Sequence, residues 1–147
     1  MAIYRSLHTL TLLLCATSLC IGQQQAEKVL VKSFNLQGNQ VVVLDLNGPV
    51  EVKSWGSDVL RVQMTISLPN GTDAMLKSLV EAGRYNLKGI AEKEGMKIGL
   101  PGLDREVKVR GTKLEEAFSF MVYAPENVVV KMANEASSDV TPQPDSM

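Results

Sequence analysis

Leu60-Arg61-Val62-Gln63-Met64-Thr65-Ile66-Ser67-Leu68 alternates without a break: Leu60, Val62, Met64, Ile66 and Leu68 share one face of an extended chain, and Arg61, Gln63, Thr65 and Ser67 share the other. Successive side chains of a strand point to opposite faces, so a period of two held over this length is a strand with one buried face. The pattern continues upstream. Val42, Leu44 and Leu46 alternate within residues 40–46, and Val50 with Val52 begins the next segment. Asn47-Gly48-Pro49 parts the two with turn chemistry, because glycine tolerates positive φ and proline fixes its own. Ser54-Trp55-Gly56-Ser57-Asp58 is the next turn. Strands thus recur at the short spacing of an all-β domain.

Downstream the rhythm is broken once. After Pro69-Asn70-Gly71, Thr72 is placed to cap a helix over 72–82 whose Leu76, Leu79 and Val80 follow the i, i+3, i+4 spacing, and Gly83 is placed to end it. Strands are expected again over 85–91, 96–100, 107–110, 118–123 and 128–132, with Gly95 at a turn and Pro101-Gly102 in a loop. The expected fold is mainly β: an antiparallel sandwich or curled sheet, the start of a β-solenoid-like domain, with one short helix. From Asn134 the composition shifts to Ala, Ser, Asp, Pro and Gln, which marks 134–147 as a disordered tail.

The N-terminus reads as an address. A short n-region with Arg5 precedes an apolar stretch from Leu10 to Ile21, and small residues near Gly22 lead into Gln23-Gln24-Gln25, the order of a signal peptide over 1–22. The stretch is shorter than the roughly 20 residues of a membrane-spanning helix. Leu19 stands where lipoprotein processing wants a small residue, which argues against a lipid anchor at Cys20. The expectation is export to the periplasm, the cell surface or the medium, with 23–133 as one β-rich domain. The only histidine, His8, and both cysteines, Cys15 and Cys20, fall within the leader. Without Arg5, 14 of the 15 basic residues face 16 acidic ones, a net charge near −2 that gives no general attraction to nucleic acid.

That placement closes most catalytic chemistry to a cleaved chain. A Ser-His-Asp triad, a cysteine nucleophile, a thiolate zinc site and a His-carboxylate iron site all need residues absent after Gly22. Neither a phosphate-binding Gly-rich loop nor an Asp-x-Asp-x-Asp-Gly calcium loop is present, so the expectation is no cofactor and no metal. Paired carboxylates remain available for glycoside hydrolysis, with Glu115-Glu116 and Glu92 with Glu94 as the candidates. Both pairs read better as solvated loop charge.

Two passages carry a resemblance. Val50-Glu51-Val52-Lys53-Ser54-Trp55-Gly56-Ser57-Asp58-Val59-Leu60-Arg61-Val62 and Phe120-Met121-Val122-Tyr123-Ala124-Pro125-Glu126-Asn127-Val128-Val129-Val130-Lys131 resemble the adhesin-like domains of bacterial envelopes, over roughly residues 28 to 133. The resemblance implies an exported β protein with a structural or adhesive role. Such domains usually continue into a ladder of Gly-Asp-Val strands that builds a β-solenoid. Here the corresponding place reads Ser138-Asp139-Val140, a short form without that ladder.

Three features could support binding to an envelope protein or polysaccharide. Arg105, Lys108, Arg110 and Lys113 cluster within a short segment, and Lys108 with Arg110 would share a strand face, diluted by Glu106. Trp55 could stack on a sugar or a partner side chain, or fold over its own core. Asn70-Gly71-Thr72 has the form of a glycosylation sequon and equally of a turn and helix cap. The expected function is therefore a non-enzymatic envelope protein. A carboxylate-dependent hydrolase of envelope carbohydrate needs two acids on one cleft at roughly 5 to 9 Å, and a carrier of apolar ligands needs an internal cavity of roughly 300 Å³ or more.

Overall fold

The computed structural model describes residues 25–134. The signal-peptide reading, with His8, Cys15 and Cys20, lies outside them, as does the expected tail beyond Asn134. Ten strands and one α-helix follow in order: β1 (Ala26–Asn35), β2 (Val41–Asp45), β3 (Val50–Trp55), β4 (Val59–Leu68), α1 (Asp73–Glu81), β5 (Lys88–Glu92), β6 (Gly95–Gly99), β7 (Lys108–Val109), β8 (Thr112–Lys113), β9 (Ala117–Pro125) and β10 (Val129–Met132). The loop at Pro101-Gly102 contains a 3-10 turn, Pro101–Asp104.

Two four-stranded sheets, β1-β4-β9-β3 and β10-β2-β6-β5, pack face to face, and β7 with β8 forms a separate hairpin. The protein is mainly β, as the alternation requires. Antiparallel pairing holds along β1-β4-β9 and in β5-β6, whereas β3 with β9, β10 with β2 and β2 with β6 run parallel. The parallel β3–β9 and β10–β2 pairs involve strands joined by corners, β2 to β3 and β9 to β10, each crossing from one sheet to the other.

The alternating faces meet between the sheets. Leu60, Val62, Met64, Ile66 and Leu68 of β4 and Phe120 and Val122 of β9 bury against Val42, Leu44, Met96 and Ile98 of the other sheet. Burying a Val, Leu, Ile, Met or Phe side chain is worth about 1.5–3 kcal/mol. Such a row dominates the stability. Helix α1 lies beside β1, capped by Thr72, whose Oγ1 accepts from the Met75 N–H at 3.3 Å. It ends in a Schellman motif, with Gly83 at φ 77° donating to the Val80 carbonyl and Arg84 donating to that of Leu79.

Two boundaries differ from the alternation-based expectation. The strand expected over 85–91 begins only at Lys88, because Tyr85 and Leu87 turn inward as buried residues of the connection after α1. The strand expected over 107–110 is only Lys108–Val109. Arg110 occupies the turn with φ 51°, beside Gly111 at φ 85°. Positive φ at both central residues closes a two-residue hairpin.

Candidate functional site

The Schellman ending of α1 delivers Arg84 and Tyr85 to the start of β9. Arg84 Nε and Nη2 donate to the two carboxylate oxygens of Glu116 at 2.7 and 2.6 Å, and the Tyr85 hydroxyl donates to Glu116 Oε1 at 2.6 Å. The remaining guanidinium nitrogen, Nη1, donates to the carbonyls of Gly102 and Arg105 at 3.0 and 2.7 Å. The two charged side chains are only 8% and 12% exposed. This clasp ties the helix end, the 3-10 loop and β9 together.

Burial works to raise the Glu116 pKa, but the hydrogen bonds from Arg84 and Tyr85, with the Arg84 charge, outweigh it and hold the carboxyl below the usual carboxylate range. Burial, reinforced by the bond to Glu116, pushes the Tyr85 phenol well above its ordinary value. A folded-state pKa raised in this way contributes stability in full below the unfolded phenol value of about 10 and loses it as pH rises beyond that value. Tyr85→Phe is therefore expected to destabilise the protein by about 1 kcal/mol at neutral pH and to flatten the loss of stability on the alkaline side. Thermal melts across pH 7 to about 11 check both, and an unchanged alkaline limb would contradict this account.

Glu116 is thus no solvated loop charge, contrary to the sequence reading: it is half-buried and its oxygens are engaged. Glu115 is exposed, and its backbone N–H donates to Asn70 Oδ1 at 2.9 Å. Asn70 Nδ2 donates to the Lys113 carbonyl at 3.1 Å. The sequon residues therefore serve as a tie to the β8 end and as a helix cap. Glu92 is exposed at the end of β5 and Glu94 is exposed in the β5–β6 turn.

The basic segment is exposed, and Glu106 offsets part of its charge. Glu106 bridges Lys108 at 3.2 Å and Lys113 at 3.4 Å, and Lys108 faces Lys113 across the hairpin. Arg110 stands in the turn and shares no strand face with Lys108. Arg105 contributes its carbonyl to the clasp.

Trp55 lies at the opposite end of the first sheet. Register places it against Pro125, at the finish of β9, whereas Glu116 and the hairpin adjoin the start of that strand. Nine extended residues span roughly 30 Å. The structure accordingly does not bring Trp55 together with Arg105, Lys108, Arg110 and Lys113. The indole Nε1 donates to the Val59 carbonyl at 2.9 Å and closes the turn before β4. Arg61 sits over the ring at 4.6 Å, and the Tyr123 ring is 5.7 Å away at 42°.

This cluster borders a surface that the sequence reading did not single out. On the outer face of β1-β4-β9-β3, register aligns Ser33, Arg61, Tyr123 and Lys53 in one row, Val31, Gln63, Met121 and Glu51 in the next, and Val29, Thr65 and Ser119 in a third. Val29 and Val31 are 48% and 58% exposed. A shallow groove of about 300 Å³ crosses this face beside Glu51, Gln63, Thr65 and Met121. On the outer face of the other sheet, a groove of about 590 Å³ runs where Gly99 leaves out a side chain between Asp45 and Lys88. Both grooves open at the surface.

No family model matches the chain, and no curated protein does. Among solved structures, a crystal structure from Clostridium sporogenes described as a "putative cell adhesion protein" is 14% identical, with 72% of this chain and 45% of that one covered at a TM-score of 0.38. The chain spans less than half of that protein's length. At this score the likeness establishes neither a shared fold nor a shared role. Among the described residues, no helix is long and apolar enough to cross a membrane.

Proposed function

We propose that the chain is an exported, non-enzymatic cell-envelope protein with a structural or adhesive role, and that the outer face of β1-β4-β9-β3 is its contact surface for an envelope protein or polysaccharide. The observation that carries this reading is the exposed Val29 and Val31 on β1, bordered by Thr65 and Gln63 of β4, on the same outer face as Met121 and the Trp55, Tyr123 and Arg61 cluster. Apolar side chains left open on a sheet face and rimmed by polar ones suit an interaction site. Engagement of Glu116 by Arg84 and Tyr85 supports a role without acid-base chemistry. The row of side chains packed between the sheets favours a surface contact over an apolar carrier.

The test is binding of the purified protein to the native envelope fraction, before and after protease treatment of that fraction. Val29→Glu with Val31→Glu is expected to lower the bound amount at least about tenfold, the size of a lost interface anchor. Arg110→Glu is expected to leave it unchanged. Loss of binding after protease treatment identifies a protein partner, and survival of binding identifies a polysaccharide. Equal binding by the valine variant and the natural chain removes the proposed surface.

A further inference from the structure

The two open sides of the sandwich are guarded differently. Phe34 of β1 lies where a side chain added at Gly89 of β5 would meet it, which places β1 and β5 on one side and leaves β3 and β10 on the other. The core-facing row of β1 runs Ala26, Lys28, Leu30, Lys32, Phe34, in register with Leu68, Ile66, Met64, Val62 and Leu60. Lys32 Nζ donates to the Leu87 carbonyl at 2.7 Å. Inward-pointing charge on an edge strand opposes the addition of a further strand.

Among the described residues, the β3 side has no inward-pointing charge. Its core-facing residues are Val50 and Val52, in register with Phe120 and Val122, and beneath them Val130 and Met132 of β10, in register with Val42 and Leu44. Val52 remains 45% exposed. The Phe120 N–H donates to the Pro49 carbonyl at 2.9 Å, so Pro49, Glu51 and Lys53 turn their backbone groups toward β9. Val50, Val52 and Ser54 turn theirs toward the open edge. The missing N–H of Pro49 therefore falls on the side already paired.

We propose that β3 pairs antiparallel with β3 of a second copy of this chain, about a two-fold axis through Val52. Val52 then meets Val52 of the second copy, Val50 meets Ser54, Glu51 meets Lys53, and Trp55 lies opposite Pro49. The residues whose backbone groups point outward become hydrogen-bonded partners. Opposite charges face each other on both sides of the axis. A slip by one step along the pleat sets Glu51 against Glu51 or Lys53 against Lys53, so charge selects a single register. An interface of this kind is isologous and closed. It uses the β3 edge, whereas Val29 and Val31 lie on β1 at the other edge of that sheet, so its failure would leave their proposed contact untouched.

Sedimentation equilibrium of the protein expressed from its whole coding sequence tests the pairing. Dimerisation with a dissociation constant on the order of 10–100 μM is expected from an interface at the small end of the range. Glu51→Lys alone, or Lys53→Glu alone, places like charges opposite each other twice and should weaken association at least about tenfold. The double exchange restores the opposite pairs and should return it to within about twofold of the natural chain. Val52→Lys should abolish the dimer. The proposal is overturned by a monomer up to about 1 mM, by a dimer indifferent to these substitutions, or by a double exchange that behaves like the single ones.

Discussion

Glu116→Ala is expected to lower the stability of the protein by about 3 kcal/mol, because it leaves the partly buried Arg84 guanidinium without its counter-charge. For a domain of this size the melting temperature should fall on the order of 15 °C. The loss exceeds that of a surface ion pair for a geometric reason. Arg84 also carries the carbonyls of Gly102 and Arg105, so its displacement frees the 3-10 loop as well as the helix end. Glu116→Gln keeps an acceptor and removes the charge, and should fall between the alanine variant and the natural chain. The pH dependence has a definite sign. A carboxyl held below its unfolded pKa contributes in full above that value and loses the contribution as pH falls through the lowered folded value. The acid limb of a stability profile should therefore be shallower in Glu116→Gln. Parallel limbs in the two proteins would show that the clasp contributes nothing to acid stability.

Gly48→Ala should destabilise by about 3 kcal/mol, combining backbone strain with a steric clash. Gly48 has φ 143°, and a Cβ there would stand 2.5 Å from the Phe118 carbonyl oxygen. The corner it forms carries the chain from β2 in one sheet to β3 in the other, and the neighbouring Pro49 carbonyl starts the β3–β9 ladder. Relief of the clash must move one of those strands. Chemical denaturation should show the loss as a lower midpoint, and Gly38→Ala serves as the control. Gly38 also has positive φ, at 83°, but nothing lies near its would-be Cβ. Equal losses at the two glycines would locate the effect in backbone strain alone.

The strands most legible in the sequence are those with one apolar face, and β4 is the clearest. β1 escaped because Lys28 and Lys32 occupy its inward row while Val29 and Val31 occupy its outward one, so a rule that places apolar residues inside assigns neither face. Helix α1 was legible through its cap, spacing and terminal glycine, all local features. The clasp was not. Arg84 and Glu116 meet only because the helix end and the start of β9 are brought together by the sheet order, and nothing near either residue in the chain announces the other. Sheet faces follow from alternation, but strand order does not, which is why the parallel ladders and the separation of Trp55 from the basic hairpin emerge only in the folded chain.

The parallel ladders also govern when folding can finish. β2 gains a neighbour on each side only from β6 and β10, and β3 gains its neighbour only from β9, so Val41 waits for Val129 and Val50 for Phe120. Pairing between residues so far apart in the chain makes folding slow, because the loop must close before the contacts reward it. As the polypeptide emerges from the ribosome, the β1–β4 pair can form early, but neither sheet is complete until β9 and β10 have been made. Completion of both sheets therefore waits for the last two strands of the domain.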